Sequence, residues 1–295
     1  MEQKDKIIVG CMRLNALSQK EANRFLDHAL DAGVRWFDHA DIYGGGQCEE
    51  IFGRWLRENP GRRGEIVLQS KCSIIPGLMY DCSREHILSA VEGILKRLGT
   101  DRLDVLLLHR PDALMEPEEV AEAFDRLYTS GKVARFGVSN FSAMRLALLQ
   151  KYVGRKLEFD QMQFGPAQAS LVRFAMEANN QGAVNRDGEL LDYCMLNGVG
   201  LQAWSPLQYG MISGCFLTSP DFAGLTARLT ETGAAYGVSP ATVAAAWILR
   251  HPAGIQVISG SMKEEHFDQM AAAREVHLTR KEWYEIYTAG GNPLP

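Results

Sequence analysis

The 295-residue sequence predicts an α/β chain folded as a (β/α)8 TIM barrel with an extra C-terminal helix. Three observations predict it. Eight short apolar runs alternate with amphipathic helical stretches along the chain. The runs are continuously apolar rather than alternating, as expected of parallel strands covered on both faces. Five of them stop at a polar or aromatic residue of chemical interest: Asp38, Lys71, His109, Ser139-Asn140 and Trp204-Ser205. Parallel barrels carry their catalytic groups at the C-terminal ends of their strands.

The elements follow in order. Residues 7–9 read as the first strand. Ser18-Gln19-Lys20-Glu21 is a capping box opening a helix whose apolar stripe is Ala22, Phe25, Leu26, Ala29 and Leu30. Gly33 ends that helix as a C′ glycine, and strand two runs over 34–38. Then come a helix at 49–57, strand three at 66–70, and a helix at 84–98 ended by Gly99. Strand four covers 103–108, and the helix at 118–129 stops at Ser130-Gly131. Strand five at 133–138, a helix at 143–152 and strand six at 159–163 continue the cycle. A helix at 190–196 precedes strand seven at 199–203. Two helices follow, 224–236 and 240–250, the second with Ser239 at its cap and Pro240 at its first helical position. Strand eight is 255–258, and Thr279-Arg280-Lys281-Glu282 is a capping box opening the extra helix. No linker or charge block divides the chain, so residues 1–295 are expected to form a single domain.

The bulk numbers exclude several classes. A net charge of −5 argues against nucleic acid, whose phosphates need a basic face. No run approaches the roughly 20 apolar residues needed to cross a bilayer, and residues 1–6 are polar with no signal-peptide core. Six scattered cysteines without a CxxC pair are expected to be free thiols in a cytoplasmic protein. Cys72, next to Lys71, is expected to be apolar filler rather than a reactive thiol. The expected partner is a small molecule, and the expected state a monomer or weak oligomer.

Asp38, Tyr43, Lys71 and His109 form a chemically coherent set. An ammonium beside a phenol favours the phenolate and is expected to lower the phenol's pKa. A carboxylate keeps that lysine charged, and a neutral histidine hydrogen-bonds a carbonyl oxygen. Such a set suits carbonyl reduction. Gly44-Gly45-Gly46 lacks the dinucleotide spacing and reads as a turn positioning Tyr43.

The segments Asp31 to Gly44, Asp104 to Asp112, Gly131 to Phe141 and Trp204-Ser205-Pro206-Leu207 together resemble the aldo-keto reductases, in order along the whole chain. The resemblance is closest to the bacterial subgroup typified by the YdhF oxidoreductase, through His39, Tyr43-Gly44-Gly45, Gln47-Cys48-Glu49 and Ile258-Ser259-Gly260-Ser261. It implies Tyr43 as general acid, Lys71 and Asp38 as its tuning pair, and His109 as the group orienting the carbonyl of an aldehyde or ketone. It implies that Ser139, Asn140 and Gln161 hold a nicotinamide carboxamide and that Trp204 stacks on the ring. The loops after strands seven and eight are where barrels often bind phosphate. They contain Ser205 and Leu207, and Ser259, Gly260, Ser261 and Lys263. The resemblance implies NADP(H) there, ahead of NAD(H).

This sequence departs from the common family pattern at Gly260 and His266 for the 2′-phosphate, and at Gln269 and Met270 for adenine. Lys263 is then the candidate cation for the 2′-phosphate. Candidate substrate walls are Met12, Arg13, residues 72–82 and residues 211–222, the second of these rich in apolar side chains. Two other classes are compatible with such a barrel. A cofactor-binding regulatory barrel would bind tightly with little turnover. A metal-dependent hydrolase would need clustered ligands, and no H-x-H motif accompanies His39, so no metal is expected.

Overall fold

The computed structural model describes residues 6–172, 189–209 and 214–292. Residues 1–5 of the polar N-terminus, residues 211–213 of the candidate walls and the last three residues of the tail lie outside the described residues. Eight parallel strands close into a barrel. They are β1 (Ile7–Gly10), β2 (Trp36–Asp38), β3 (Val67–Cys72), β4 (Leu103–Leu108), β5 (Val133–Ser139), β6 (Leu157–Gln163), β7 (Gly200–Trp204) and β8 (Gln256–Ser259). Closure leaves no edge strand with unpaired backbone groups. The helices are α1 (Gln19–Asp31), α2 (Gln47–Glu58), α3 (Arg84–Leu98), α4 (Pro117–Thr129), α5 (Ala143–Tyr152), α6 (Glu189–Asn197), α7 (Ala223–Tyr236), α8 (Pro240–Leu249), α9 (Glu264–Ala271) and α10 (Arg280–Ala289). Among the described residues no helix is long and apolar enough to cross a membrane.

The predicted local signals hold. Ser18 and Glu21 form a reciprocal capping box at α1, and Thr279 with Glu282 forms another at α10. The Gly33 amide bonds the Leu30 carbonyl and the Val34 amide that of Ala29, with Gly33 at φ 79°. This is a Schellman stop, and it turns the chain directly into β2.

Two compact units can be distinguished. The first runs from Ile8 to Gln161 and includes Gly260–Glu264. Its strands pair in parallel register: Gly10 faces Asp38, Asp38 faces Gln69, Lys71 faces Leu107, and Ser139 faces Gln161. β1, β2 and nearly all of β3 and β4 are buried, so each apolar side chain there contributes roughly 1.5–3 kcal/mol. The second unit contains Met162–Ser259 and Glu265–Pro295. There Trp247 on α8 and Trp283 on α10 stack with centroids 4.7 Å apart. Each indole N–H donates to the other residue's carbonyl, at 2.9 and 3.0 Å. The extra C-terminal helix is thus fastened to α8.

Candidate active site

The parallel register brings Asp38 and Lys71 to the same end of adjacent strands, and His109 stands immediately after β4. Tyr43 lies in the one-turn 3-10 segment Tyr43–Gly46 after β2. Gly44, Gly45 and Gly46 there have φ of 58°, 63° and 95°. Three consecutive left-handed residues are strained for any side chain but glycine's hydrogen, and they turn the chain from Tyr43 into α2.

Lys71 is fully buried and spends all three ammonium donors within the protein. It donates to Asp38 Oδ2 at 2.7 Å, to the His39 carbonyl at 2.7 Å and to the Tyr43 hydroxyl oxygen at 3.1 Å. Because the lysine donates to that oxygen, the Tyr43 proton is directed elsewhere. Asp38 Oδ1 accepts from Gln69 at 2.6 Å and from Gln161 at 3.2 Å. Burial pulls the Lys71 ammonium down, but Asp38 and Tyr43 outweigh it and hold it above its ordinary value.

Lys71 does favour the phenolate, but the expectation that the Tyr43 phenol therefore sits below its ordinary pKa needs a correction. The phenol is pushed above its ordinary value, because burial outweighs the opposing ammonium. Lys71 limits the rise rather than reversing it, so Tyr43 keeps its proton at neutral pH. His109 is driven well below its ordinary value by burial and then by Lys71, so its ring is neutral. Its Nδ1 has no hydrogen-bond partner among the described residues. The Tyr43 and His109 rings meet edge to face at 5.9 Å. A protonated phenol beside a neutral imidazole offers hydrogen bonds to one oxygen atom without a nucleophile.

Ser139, Asn140 and Gln161 also come together. The Ser139 hydroxyl donates to the Gln161 carbonyl at 2.8 Å, and the Asn140 amide donates to Ser139 Oγ at 2.8 Å. Asn140 has φ 62°, and its backbone N–H bonds the Gln161 carbonyl. Gln161 therefore links this amide and hydroxyl group to Asp38.

In the loop after β8, Ser261 Oγ accepts from the Lys263 amide at 3.2 Å, and Arg13 donates to the Gly260 carbonyl at 3.3 Å. Arg13 and Lys263 have no carboxylate partner among the described residues, whereas the nearby Arg24 is paired with Glu264 at 2.7 Å. In the second unit, Trp204 ends β7, Ser205 has φ 48°, and the Leu207 carbonyl accepts from the Phe216 amide. Ser259 Oγ is buried without a partner among the described residues.

The loop after β3 is a small antiparallel ribbon, Ile74–Ile75 against Met79–Tyr80. Leu78, Met79 and Tyr80 are exposed on it. All six cysteines are free, and burial raises Cys72 well above its ordinary value, as suits filler. Sequence reasoning missed Gln69, whose only signal was a polar residue inside an apolar run. It also missed the pairing of Glu49 with Arg97 at 2.7 Å, in which the carboxylate is fully buried and the arginine half-buried.

The pattern of the aldo/keto reductase family matches residues 6–289. The chain is 36% identical to the oxidoreductase YdhF of Escherichia coli over 96% of this chain and 93% of the relative. It is 35% identical to a 6-dehydroglucose reductase of Novosphingobium aromaticivorans, over 97% of this chain and 92% of that one. Among solved structures it is similar to an aldo/keto reductase from Klebsiella pneumoniae in complex with NADP and acetate. The TM-score is 0.78 and the identity 25%, covering 98% of this chain and 93% of that one.

Proposed function

The chain belongs to the aldo/keto reductase family, and we propose that it reduces an aldehyde or ketone to an alcohol with NADP(H), Tyr43 giving the proton. The observation that carries this reading is the Lys71 ammonium, which holds the Tyr43 oxygen at 3.1 Å and leaves the phenolic proton free.

The residues present fit the cofactor. Ser139, Asn140 and Gln161 supply the donors and acceptors that a carboxamide needs. Arg13 and Lys263 are cations without carboxylate partners among the described residues, which suits a nucleotide phosphate. By the family resemblance, Trp204, Ser205, Leu207, Ser259, Gly260 and Ser261 are proposed as further cofactor contacts, and residues 1–295 as one domain. When bound, NADPH supplies the hydride. The protein's part is to hold the substrate oxygen between the Tyr43 hydroxyl and the neutral His109 ring. Tyr43 passes its proton to that oxygen as negative charge builds there, and Lys71 stabilises the phenolate left behind. Asp38 keeps Lys71 in place through the transfer.

The test has two arms. The first offers the purified protein a carbonyl panel with NADPH or NADH, including simple aldehydes and the 6-dehydroglucose named for the relative. Turnover is expected with NADPH, falling at least about 100-fold in Tyr43→Phe. Undiminished turnover in that variant would remove Tyr43 from the role. The second arm measures cofactor affinity by fluorescence. Lys263→Ala is expected to weaken NADPH binding about tenfold and leave NADH unaffected. Equal loss for both would move Lys263 away from the 2′-phosphate.

A further inference from the structure

We propose that Ser70, Glu49 and Arg97 form a clip that sets the Tyr43–Lys71 contact, making them positioning residues for the proton donor. The proposal rests on the reading of Tyr43 as that donor.

Tyr43 and Lys71 sit on separate elements, a glycine turn and strand β3, and neither element enforces their 3.1 Å contact by itself. Glu49 bridges the two. It is the third residue of α2, directly after the turn, and it is fully buried. One of its oxygens accepts from Ser70 Oγ at 2.7 Å, and Ser70 precedes Lys71. The other accepts from Arg97 Nε at 2.7 Å, and Arg97 belongs to α3.

Arg97 lies in a socket made by glycines. A Cβ on Gly46, the last residue of the Tyr43 turn, would stand 2.8 Å from Arg97 Cδ. A Cβ on Gly93 would stand 3.0 Å from Arg97 Nη1, and one on Gly53 would stand 2.2 Å from the Arg97 carbonyl oxygen. The arginine stem therefore occupies the space under the turn. The N-terminus of α2 has no side-chain cap, so the Glu49 charge is the anion nearest its first turn together with Glu50. A buried carboxylate must keep its partners, since an unpaired buried charge is strongly destabilising. Glu49 thus fixes the turn to β3 at the residue beside the catalytic lysine.

The groups around the Tyr43 phenol are Cys11 after β1, Asp38 of β2, Lys71 of β3 and His109 after β4. Lys71 favours the phenolate, against burial, Asp38 and Cys11. Loosening the contact therefore raises the phenol's pKa further. Ser70→Ala tests this without changing any charge, and Ser70→Thr restores the hydroxyl. The phenol is titrated by ultraviolet difference spectroscopy, its signal identified by its loss in Tyr43→Phe. In Ser70→Ala it is expected to move up by roughly one pH unit and to return in Ser70→Thr. In the same variant kcat is expected to fall about tenfold, with NADPH affinity unchanged.

Glu49→Gln supplies a sign test. Losing a nearby negative charge alone would lower the phenol's pKa, so a rise reports the displaced contact. If Ser70→Ala and Glu49→Gln both titrate as wild type or lower, with kcat within about twofold, the clip is overturned. Should Glu49→Gln fail to fold by its melting curve, Ser70→Ala decides. A wild type without carbonyl turnover, but with the Ser70→Ala titration shift, would break the donor role and leave the clip standing.

Discussion

Asp38 and Asp160 are both buried acids on strands of the same unit, and they are held in opposite ways. Asp38 meets an ammonium through one oxygen and two glutamine amides through the other. Asp160, next to Gln161, has no hydrogen-bond partner of good geometry for either oxygen among the described residues. Burial pushes its carboxyl up to about 8, with the Asn140 and Phe141 amides pulling weakly the other way. His39 stands beside Asp38 and shows the same contrast. Its ring is buried against Phe52 with neither nitrogen bonded among the described residues, and burial followed by Lys71 lowers it to about 3. Burial thus leaves charge only where an opposite charge and hydrogen bonds surround it. Elsewhere the same interior keeps the titratable group neutral: His39 adjoins Asp38 in the chain, and Asp160 adjoins Gln161.

The strongest way to break this contrast is to remove the anion from the paired site. In Asp38→Asn, Lys71 stays buried and loses the charge that holds its ammonium up. Breaking a buried pair from one side costs about 3–5 kcal/mol. Urea unfolding at neutral pH is expected to show a loss of that order. A loss below about 1 kcal/mol would mean that the His39 carbonyl and Tyr43 suffice for Lys71.

What the sequence made legible follows the range of the interactions. Ser18–Glu21, Thr279–Glu282 and the Gly33 stop are local, and they stand as the residues predict. Asp38, Lys71 and His109 were legible because a parallel barrel sends strand ends to one side. Helix α2 begins at Gln47 rather than Glu49, since a left-handed glycine stands where a side-chain cap would have marked the start. Strand β6 begins at Leu157, two residues before its apolar run. The Gln69 and Gln161 bonds to Asp38 and the Arg97 socket depend on strands and helices meeting across tens of residues. The net shift of Tyr43 is hidden for the same reason: a neighbouring ammonium shows in the sequence pattern, but burial does not.

The next test sharpens the unpaired side. The folded pKa of Asp160 is raised to about 8 from its ordinary value of 3.8. The acid therefore favours the folded state most at pH below the unfolded value, and this support is lost as pH rises through the folded one. Asp160→Asn removes the titration while keeping the shape. Near pH 4 the variant and wild type are expected to unfold alike. Near pH 8 the variant is expected to be more stable, by on the order of a few kcal/mol. A constant difference across that range would mean that Asp160 is partnered in solution.

The smallest effect belongs to His39, and its sign is the reverse. Its folded pKa is depressed to about 3 from 6.5, so its contribution is present above the unfolded value and lost as pH falls through the folded one. At neutral pH the ring is uncharged in both states and titration contributes nothing. Near pH 5 the unfolded chain takes up a proton that the folded chain refuses, a cost of roughly 2 kcal/mol. His39→Phe keeps an aromatic ring against Phe52 and removes the titration. Its stability relative to wild type is expected to rise by about that amount between pH 7 and pH 5, read from urea midpoints at each pH. Lys71 donates to the His39 carbonyl, so an imidazolium there would place a second cation next to the lysine that steadies Tyr43. A flat difference between the two pH values would show that the ring has found a hydrogen-bond partner, and the contrast with Asp38 would then rest on Asp160 alone.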